Sequence, residues 1–208
     1  MRTRILIDFW NLQIEWNEVV GKVQRINWIA LSTVLTSASQ DKIRKRGLAP
    51  EIQTLFLEMN HLAGSVSGRE KDKKLEQFLT GKLGILPDWD VKLFEREYEI
   101  AACPACLNRK DNVCAVCRKP FTKAVEKGAD VHLATSMLRL GLHSPRQADC
   151  FVLVTQDADF IPAVEALREV GVLVVNATWD DKGNRLRSAC DTWISIDALA
   201  RYIQTAKT

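Results

Sequence analysis

Short runs of consecutive apolar residues alternate along this chain with longer stretches whose apolar residues recur at helical spacing. The first kind predicts buried strands and the second amphipathic helices. Arg4–Asp8 is the first predicted strand, an apolar run that ends on a carboxylate. Asn11–Val20 puts Leu12, Trp16 and Val19 or Val20 on one helical face, and Gly21 breaks it. Trp28–Lys45 repeats the helical pattern until Gly47 and Pro50 stop it. Ile52–Met59 reads as a second strand, and His61–Gly68, rich in Gly and Ser, as a loop. Lys73–Leu83 reads as a helix and Val91–Tyr98 as an alternating strand.

The second half continues the alternation. Helices are predicted over Ala129–Leu140, Ala158–Val170, Arg185–Ala189 and Asp197–Thr205. Strands are predicted over Cys150–Thr155, Val172–Asn176 and Thr192–Ile196. Strands that are apolar throughout fit a parallel sheet covered on both faces. Strands alternating with helices imply crossover connections. The predicted fold class is therefore α/β, a three-layer α/β/α sandwich around a mainly parallel sheet.

Composition narrows the picture modestly. A chain of 208 residues with 47% hydrophobic residues can bury one large core, and the expected organisation is one domain over 1–208 with a small insert at 101–121. The apolar part of the N-terminal run is too short for a signal peptide. No apolar run approaches the ~20 residues of a membrane span. A cytoplasmic protein with no membrane partner is expected. The net charge of +3 permits nucleic acid without requiring it. Basic residues cluster at Lys42–Arg46, at Arg69–Lys74, and through the cysteine-rich stretch and just after it, at Arg109, Lys110, Arg118, Lys119, Lys123 and Lys127.

The candidate chemistry lies in acids at strand ends and helix starts. Asp8 follows the first strand, Asp130 ends Lys127-Gly-Ala-Asp130 before an apolar helix, and Asp157 and Asp159 follow Phe151-Val-Leu-Val-Thr155. In an open parallel sheet the carboxyl ends of the strands meet at one crevice where ligands bind. Carboxylates gathered there repel unless a cation joins them, and Mg²⁺ prefers oxygen ligands. A plainer reading exists for each. Asp8 suits a helix N-terminus, and Asp130 suits an N-cap. The pair Asp157 and Asp159 is harder to explain, because capping accounts for one acid more readily than for two. Asn11 reads as a cap or a polar partner of the site.

The cysteines suggest a second metal. Cys103-Pro-Ala-Cys106 and Cys114-Ala-Val-Cys117 are two C-x-x-C pairs separated by seven residues. Four thiolates at this spacing suit tetrahedral, structural Zn²⁺, with no position left for a catalytic water. The stretch has too few apolar residues to order itself, so zinc would supply much of its folding energy. Arg109, Lys110, Arg118 and Lys119 would then either grip a nucleic-acid backbone or decorate a brace. Cys150 and Cys190 read as buried thiols.

Ile5-Leu-Ile-Asp8-Phe-Trp-Asn11, Lys127-Gly-Ala-Asp130-Val and Thr155-Gln-Asp157-Ala-Asp159-Phe160-Ile-Pro162 together resemble the NYN domain, the LabA-like branch of the PIN-like nuclease superfamily. The three motifs keep the family's order and spacing, and the likeness spans the chain apart from the cysteine insert. The resemblance implies a Rossmann-like sheet, Mg²⁺- or Mn²⁺-dependent RNA cleavage, and an acidic site at Asp8, Asp130, Asp157 and Asp159. It also puts Asn11 and Thr155 in the neighbouring polar positions. Lys127 is a candidate phosphate contact. The chain departs from the pattern at Ser136, where many relatives carry a further acid.

The expected activity is that of a metal-dependent ribonuclease, endonuclease in preference to exonuclease, with RNA as partner and a homodimer allowed. A non-catalytic RNA-binding or regulatory module is the competing reading, favoured by Ser136. Neither G-x-x-x-x-G-K-[ST] nor G-x-G-x-x-G occurs, which argues against a nucleotide cofactor. His61, His132 and His143 are scattered and read as surface or packing residues, a poor fit to histidine acid–base catalysis.

Overall fold

The computed structural model describes residues 1–50, 54–67, 70–102, 106–108, 112–114, 118–143 and 147–205. Strand β1 (Arg2–Asp8) leads into helix α1 (Phe9–Trp16), then α2 (Trp28–Arg46) and β2 (Phe56–Val66). Helix α3 (Glu70–Phe78), β3 (Trp89–Glu95), β4 (Glu97–Ile100) and β5 (Thr122–Val125) follow. The remainder is α4 (Ala129–Leu142), β6 (Cys150–Val154), α5 (Ile161–Glu169), β7 (Leu173–Thr178), α6 (Asn184–Ala189), β8 (Thr192–Ser195) and α7 (Ile196–Ile203).

Six strands form one parallel sheet in the order β3-β2-β1-β6-β7-β8. The chain moves outward from β1 on one side and from β6 on the other, so the strand order reverses between these two neighbours. That reversal opens a crevice at their carboxyl ends. Alternating β1 residues feed two cores. Ile5 and Ile7 pack with Leu12, Trp16, Leu31 and Leu35 on one face, and Leu6 with Leu133, Met137, Phe151 and Leu167 on the other. Helices thus cover both faces, and the α/β/α sandwich predicted from the alternation of elements is the observed architecture.

Two predicted elements need correction. His61–Gly68 does not form a loop as far as it is described: His61–Val66 continues β2, and residues His61 to Ser67 are buried. The small residues serve close approach here instead of turning. A Cβ on Gly64 would lie 2.8 Å from the Cβ of Phe9, so only glycine lets α1 start directly over β2. The strand predicted at Val91–Tyr98 is two strands. β3 closes the central sheet, whereas β4 pairs with β5 in a separate antiparallel ribbon. Between β4 and β5 lies the cysteine-rich insert, outside the central sheet.

Among the described residues no helix is long and apolar enough to cross a membrane.

Candidate active site

Asp8 ends β1 and begins α1, so one residue serves both elements. Its Oδ1 accepts from the Asn11 backbone N–H at 3.1 Å and caps the helix. Its Oδ2 accepts from the Thr155 hydroxyl at 3.3 Å, across the β1–β6 boundary. The side chain of Asn11 reaches the same junction, its Oδ1 accepting from Gln156 N–H at 3.0 Å. Thr155 Oγ1 in turn accepts from Asp157 N–H at 3.2 Å. Three polar side chains therefore lock the end of β1 to the end of β6. Capping and site-building coexist in Asp8, because its two oxygens face different partners.

Asp130 and Asp157 meet Asp8 at one cleft of about 260 Å³. Gly128 enters α4 in the left-handed region, at φ 93°, and gives no side-chain cap. Asp130 therefore sits in the first turn without capping it. Asp157 caps the short turn Ala158–Phe160 by accepting from Asp159 N–H at 2.9 Å. Asp159 itself is exposed and outside the cleft lining, although its charge is felt at Asp130.

The carboxylates disturb one another. Asp8 is 6% exposed, and burial above all, then the charges of Asp130 and Glu126, push its pKa up to about 7 against its hydrogen bonds to Asn11 and Thr155. Asp130 is also pushed up, by burial and then by Asp157 and Asp159, with a hydrogen bond to Asp8 opposing. Such a cluster is costly without a cation.

A further acid, Glu126, lines the cleft. Burial and the charge of Asp130 raise its pKa, with Ser65 and Arg96 opposing, and its Oε1 is buried with no hydrogen-bond partner among the described residues. Glu126 precedes Lys127-Gly-Ala-Asp130 by one position, yet no sequence pattern marks it, because its exposure to the cleft depends on the chain leaving β5. Ser136, the departure from the family pattern, is buried on α4 and does not line the cleft.

The donor set fits a hard divalent ion in chemistry: it is all oxygen, mutually repelling, and includes an orphaned buried carboxylate oxygen. The carboxylates ring an open cleft, and among the described residues no three acidic, His or Cys side chains converge closely enough to enclose an ion.

The other predicted residues are dispersed. Lys127 Nζ pairs with Glu97 at 2.5 Å and Glu99 at 3.5 Å on β4, so its ammonium is engaged by the ribbon. Arg118 and Lys119 are exposed on the insert, while Arg109 and Lys110 lie outside the described residues. Cys106 is exposed and Cys114 half-buried; Cys103 and Cys117 lie outside the described residues. Backbone bonds join the described residues 113–114 and 118–120 of the insert. Cys114 N–H donates to Lys119 O and Arg118 N–H to Cys114 O, both at 2.9 Å, and Val113 bridges Pro120. Leu107 and Arg118, at φ 59° and 58°, are the two non-glycine residues with positive φ among those described. Each directly follows the second cysteine of a C-x-x-C pair. Of the histidines, His61 is buried between Arg4, at 3.2 Å, and Asp90, at 3.0 Å, as a packing residue. Cys150 and Cys190 are buried, and burial pushes both thiols up to about 12.

Comparison with known proteins agrees with the fold. No curated protein matches the chain. A solved structure, a protein of unknown function from Vibrio parahaemolyticus, is similar over 98% of this chain and 96% of its own, with a TM-score of 0.57 and 15% identity. At that identity the likeness concerns architecture alone. Residues 98–197 match the family model of the NYN domain, a span that holds Glu126, Asp130, Asp157 and Asp159.

Proposed function

We propose that the protein is a metal-dependent ribonuclease acting as an endonuclease. The observation that carries this reading is the meeting of Asp8, Glu126, Asp130 and Asp157 at one cleft where the strand order reverses. The NYN match over residues 98–197 adds a nuclease family to that geometry. Asp8, Asp130 and Asp157 would hold Mg²⁺ or Mn²⁺, with Asp159 at the rim. A metal bound there lowers the pKa of a water and offsets charge on a phosphate. The chain's own part is to keep the carboxylates in place. Thr155 and the Asn11 backbone fix the two oxygens of Asp8, and Asn11 fixes the loop that carries Asp157.

The cysteine insert belongs to this reading as a zinc-stabilised arm. Four thiolates from Cys103, Cys106, Cys114 and Cys117 are the natural ligand set. Support comes from the repeated left-handed residue after each pair, Leu107 and Arg118. Non-glycine residues adopt that conformation at a cost, and it recurs at the same place after each pair, as two similar metal-binding turns would require. Arg118 and Lys119, exposed on this arm, would meet the RNA backbone.

The decisive experiment is hydrolysis of a labelled RNA by metal-loaded protein, by EDTA-treated protein, and by Asp8→Asn and Asp157→Asn. Loss of cleavage in the last three supports a nuclease. RNA binding without cleavage by the loaded wild type would instead favour a regulatory module.

A further inference from the structure

Helix α1 has a second concave surface beside it, apart from the carboxylates. Phe9 and Gln13 line this trough, whereas Trp10, Asn11 and Ile14 of the same helix line the acidic cleft. The trough consists of two adjoining hollows of about 380 and 420 Å³ that share Ile26, Trp28, Phe78 and Thr205. Each is within the usual size of a small-molecule pocket. Buried rings underlie it: Trp28 stacks on Phe9 and meets Trp89 edge-on, with centroids 6.0 Å apart in both pairs. Backbone bonds tie the C-terminal segment to the same place. Asn27 N–H donates to Ile203 O at 2.7 Å, and Thr205 N–H to Arg25 O at 2.9 Å.

Charge around the trough has one sign. Lys22, Arg25 and Lys82 contribute to the lining and are exposed, and among the described residues none of them forms an ion pair. No Asp or Glu is among the described lining residues. Three of the neutral polar side chains are engaged locally: Gln13 donates to Asn17 at 3.0 Å, and Asn27 caps α2 by accepting from Ala30 N–H at 3.1 Å. A peptide laid here would bring backbone groups that need partners all along its length. A hydrocarbon body needs none, and a single anionic head suits cations with no acid beside them. The two hollows differ in the same sense. One carries Lys22 and Arg25, and the other is walled by Ile29, Leu83 and Leu86.

We propose that the trough binds a free amphipathic organic anion, a carboxylate on an unbranched hydrocarbon chain. The chain lies over Trp28 and Phe78 toward Leu83 and Leu86, and the head meets Lys22 and Arg25. This site uses no carboxylate of the cleft, so its failure leaves the ribonuclease reading untouched. Each methylene taken out of water tightens binding by about fourfold.

The test is isothermal titration calorimetry of the whole protein with sodium octanoate and sodium decanoate, below their micelle concentrations. Decanoate, longer by two methylenes, is expected to bind about 15-fold tighter than octanoate. Decyltrimethylammonium, a similar chain on a cation, is expected not to bind. Removing both head contacts, in Lys22→Ala combined with Arg25→Ala, is expected to weaken decanoate about tenfold. Ile29 is 66% exposed in the first turn of α2, where a carboxylate suits the helix N-terminus. Ile29→Asp is therefore expected to abolish binding without lowering the thermal melt. No binding by wild type, equal binding of the cationic amphiphile, or undiminished decanoate binding by Ile29→Asp would each overturn the site. Flotation with phosphatidylglycerol vesicles is expected to leave the protein in solution. Co-flotation that Ile29→Asp abolishes would make the trough a membrane contact and overturn the free ligand.

Discussion

The side-chain Oδ1 of Asn11 accepts a hydrogen bond from the backbone N–H of Gln156 at 3.0 Å, joining residues 145 positions apart in sequence. This bond sets the first turn of α1 against the β6–α5 junction, and so sets Asp8 against Asp157. A lost hydrogen bond that leaves a part-buried N–H unpaired costs about 1–3 kcal/mol. Asn11→Ala is expected to lower stability by that amount in urea unfolding, and to reduce RNA cleavage more than Gln13→Ala on the same helix.

Asp8 predicts a pH dependence. Its pKa is about 7 in the folded chain against 3.8 for an ordinary aspartate, with burial as the main cause. Between those values the folded state holds a proton that the unfolded state has released. Stability from this group is full below pH ~4 and is lost as pH rises through 7. Metal-free protein is expected to lose on the order of 2–4 kcal/mol across that window. Asp8→Asn should remove the slope, measured as the urea midpoint at several pH values. Mn²⁺, which favours the ionised carboxylate, should stabilise wild type most near and above pH 7.

Glu126 offers a separate test. Its Oε1 is buried without a partner, and its carboxylate faces the charge of Asp130. Glu126→Gln removes a charge but keeps the shape. The metal-free melt is expected to rise, or hold, by up to about 1 kcal/mol. Mn²⁺ affinity measured by calorimetry should fall about tenfold, as for residues that support a metal from close range. A lower melt with unchanged affinity would make Glu126 a purely structural residue.

Gly64 links packing to the site. A Cβ there would come within 2.8 Å of the Phe9 Cβ, which is no flexible tip. Gly64→Ala is expected to cost about 1–3 kcal/mol through overpacking. Because Phe9 follows Asp8, the same change should reduce cleavage although it touches no carboxylate. Gly81→Ala, where nothing lies within 4 Å of the added Cβ, is the control.

The insert should respond to chelators on its own. Zinc analysis of purified protein is expected to give about one ion per chain, lost in Cys106→Ser or Cys114→Ser. Amide exchange between Ala101 and Phe121 should then rise, whereas the central sheet keeps its protection.

How much was legible before the fold was known differs by element. Apolar runs at Ile5–Ile7, Phe151–Val154 and Val174–Val175 marked strands buried on both faces, because local hydrophobicity is enough for that. His61–Val66 misled, since Ala63, Gly64 and Ser65 carry the composition of a turn. Their smallness answers instead to Phe9 packing on the strand, a contact invisible along the chain. Asp8, Asp130 and Asp157 were legible by motif and position. Glu126 was not, because one acid in a charged stretch looks like any other solvated residue.

By itself the sequence determined the layered α/β architecture, the two C-x-x-C pairs and the acids at strand ends. These depend on local pattern, residue chemistry and short spacing. Only the tertiary structure decided that the strand order turns over between β1 and β6, which brings residues 8 and 157 to one crevice. It also engaged Lys127 with Glu97 and Glu99, left Asp159 outside the cleft lining, and stood Trp10 beside the acids. Those outcomes follow from long-range packing and from which faces remain uncovered, quantities that no window of sequence contains.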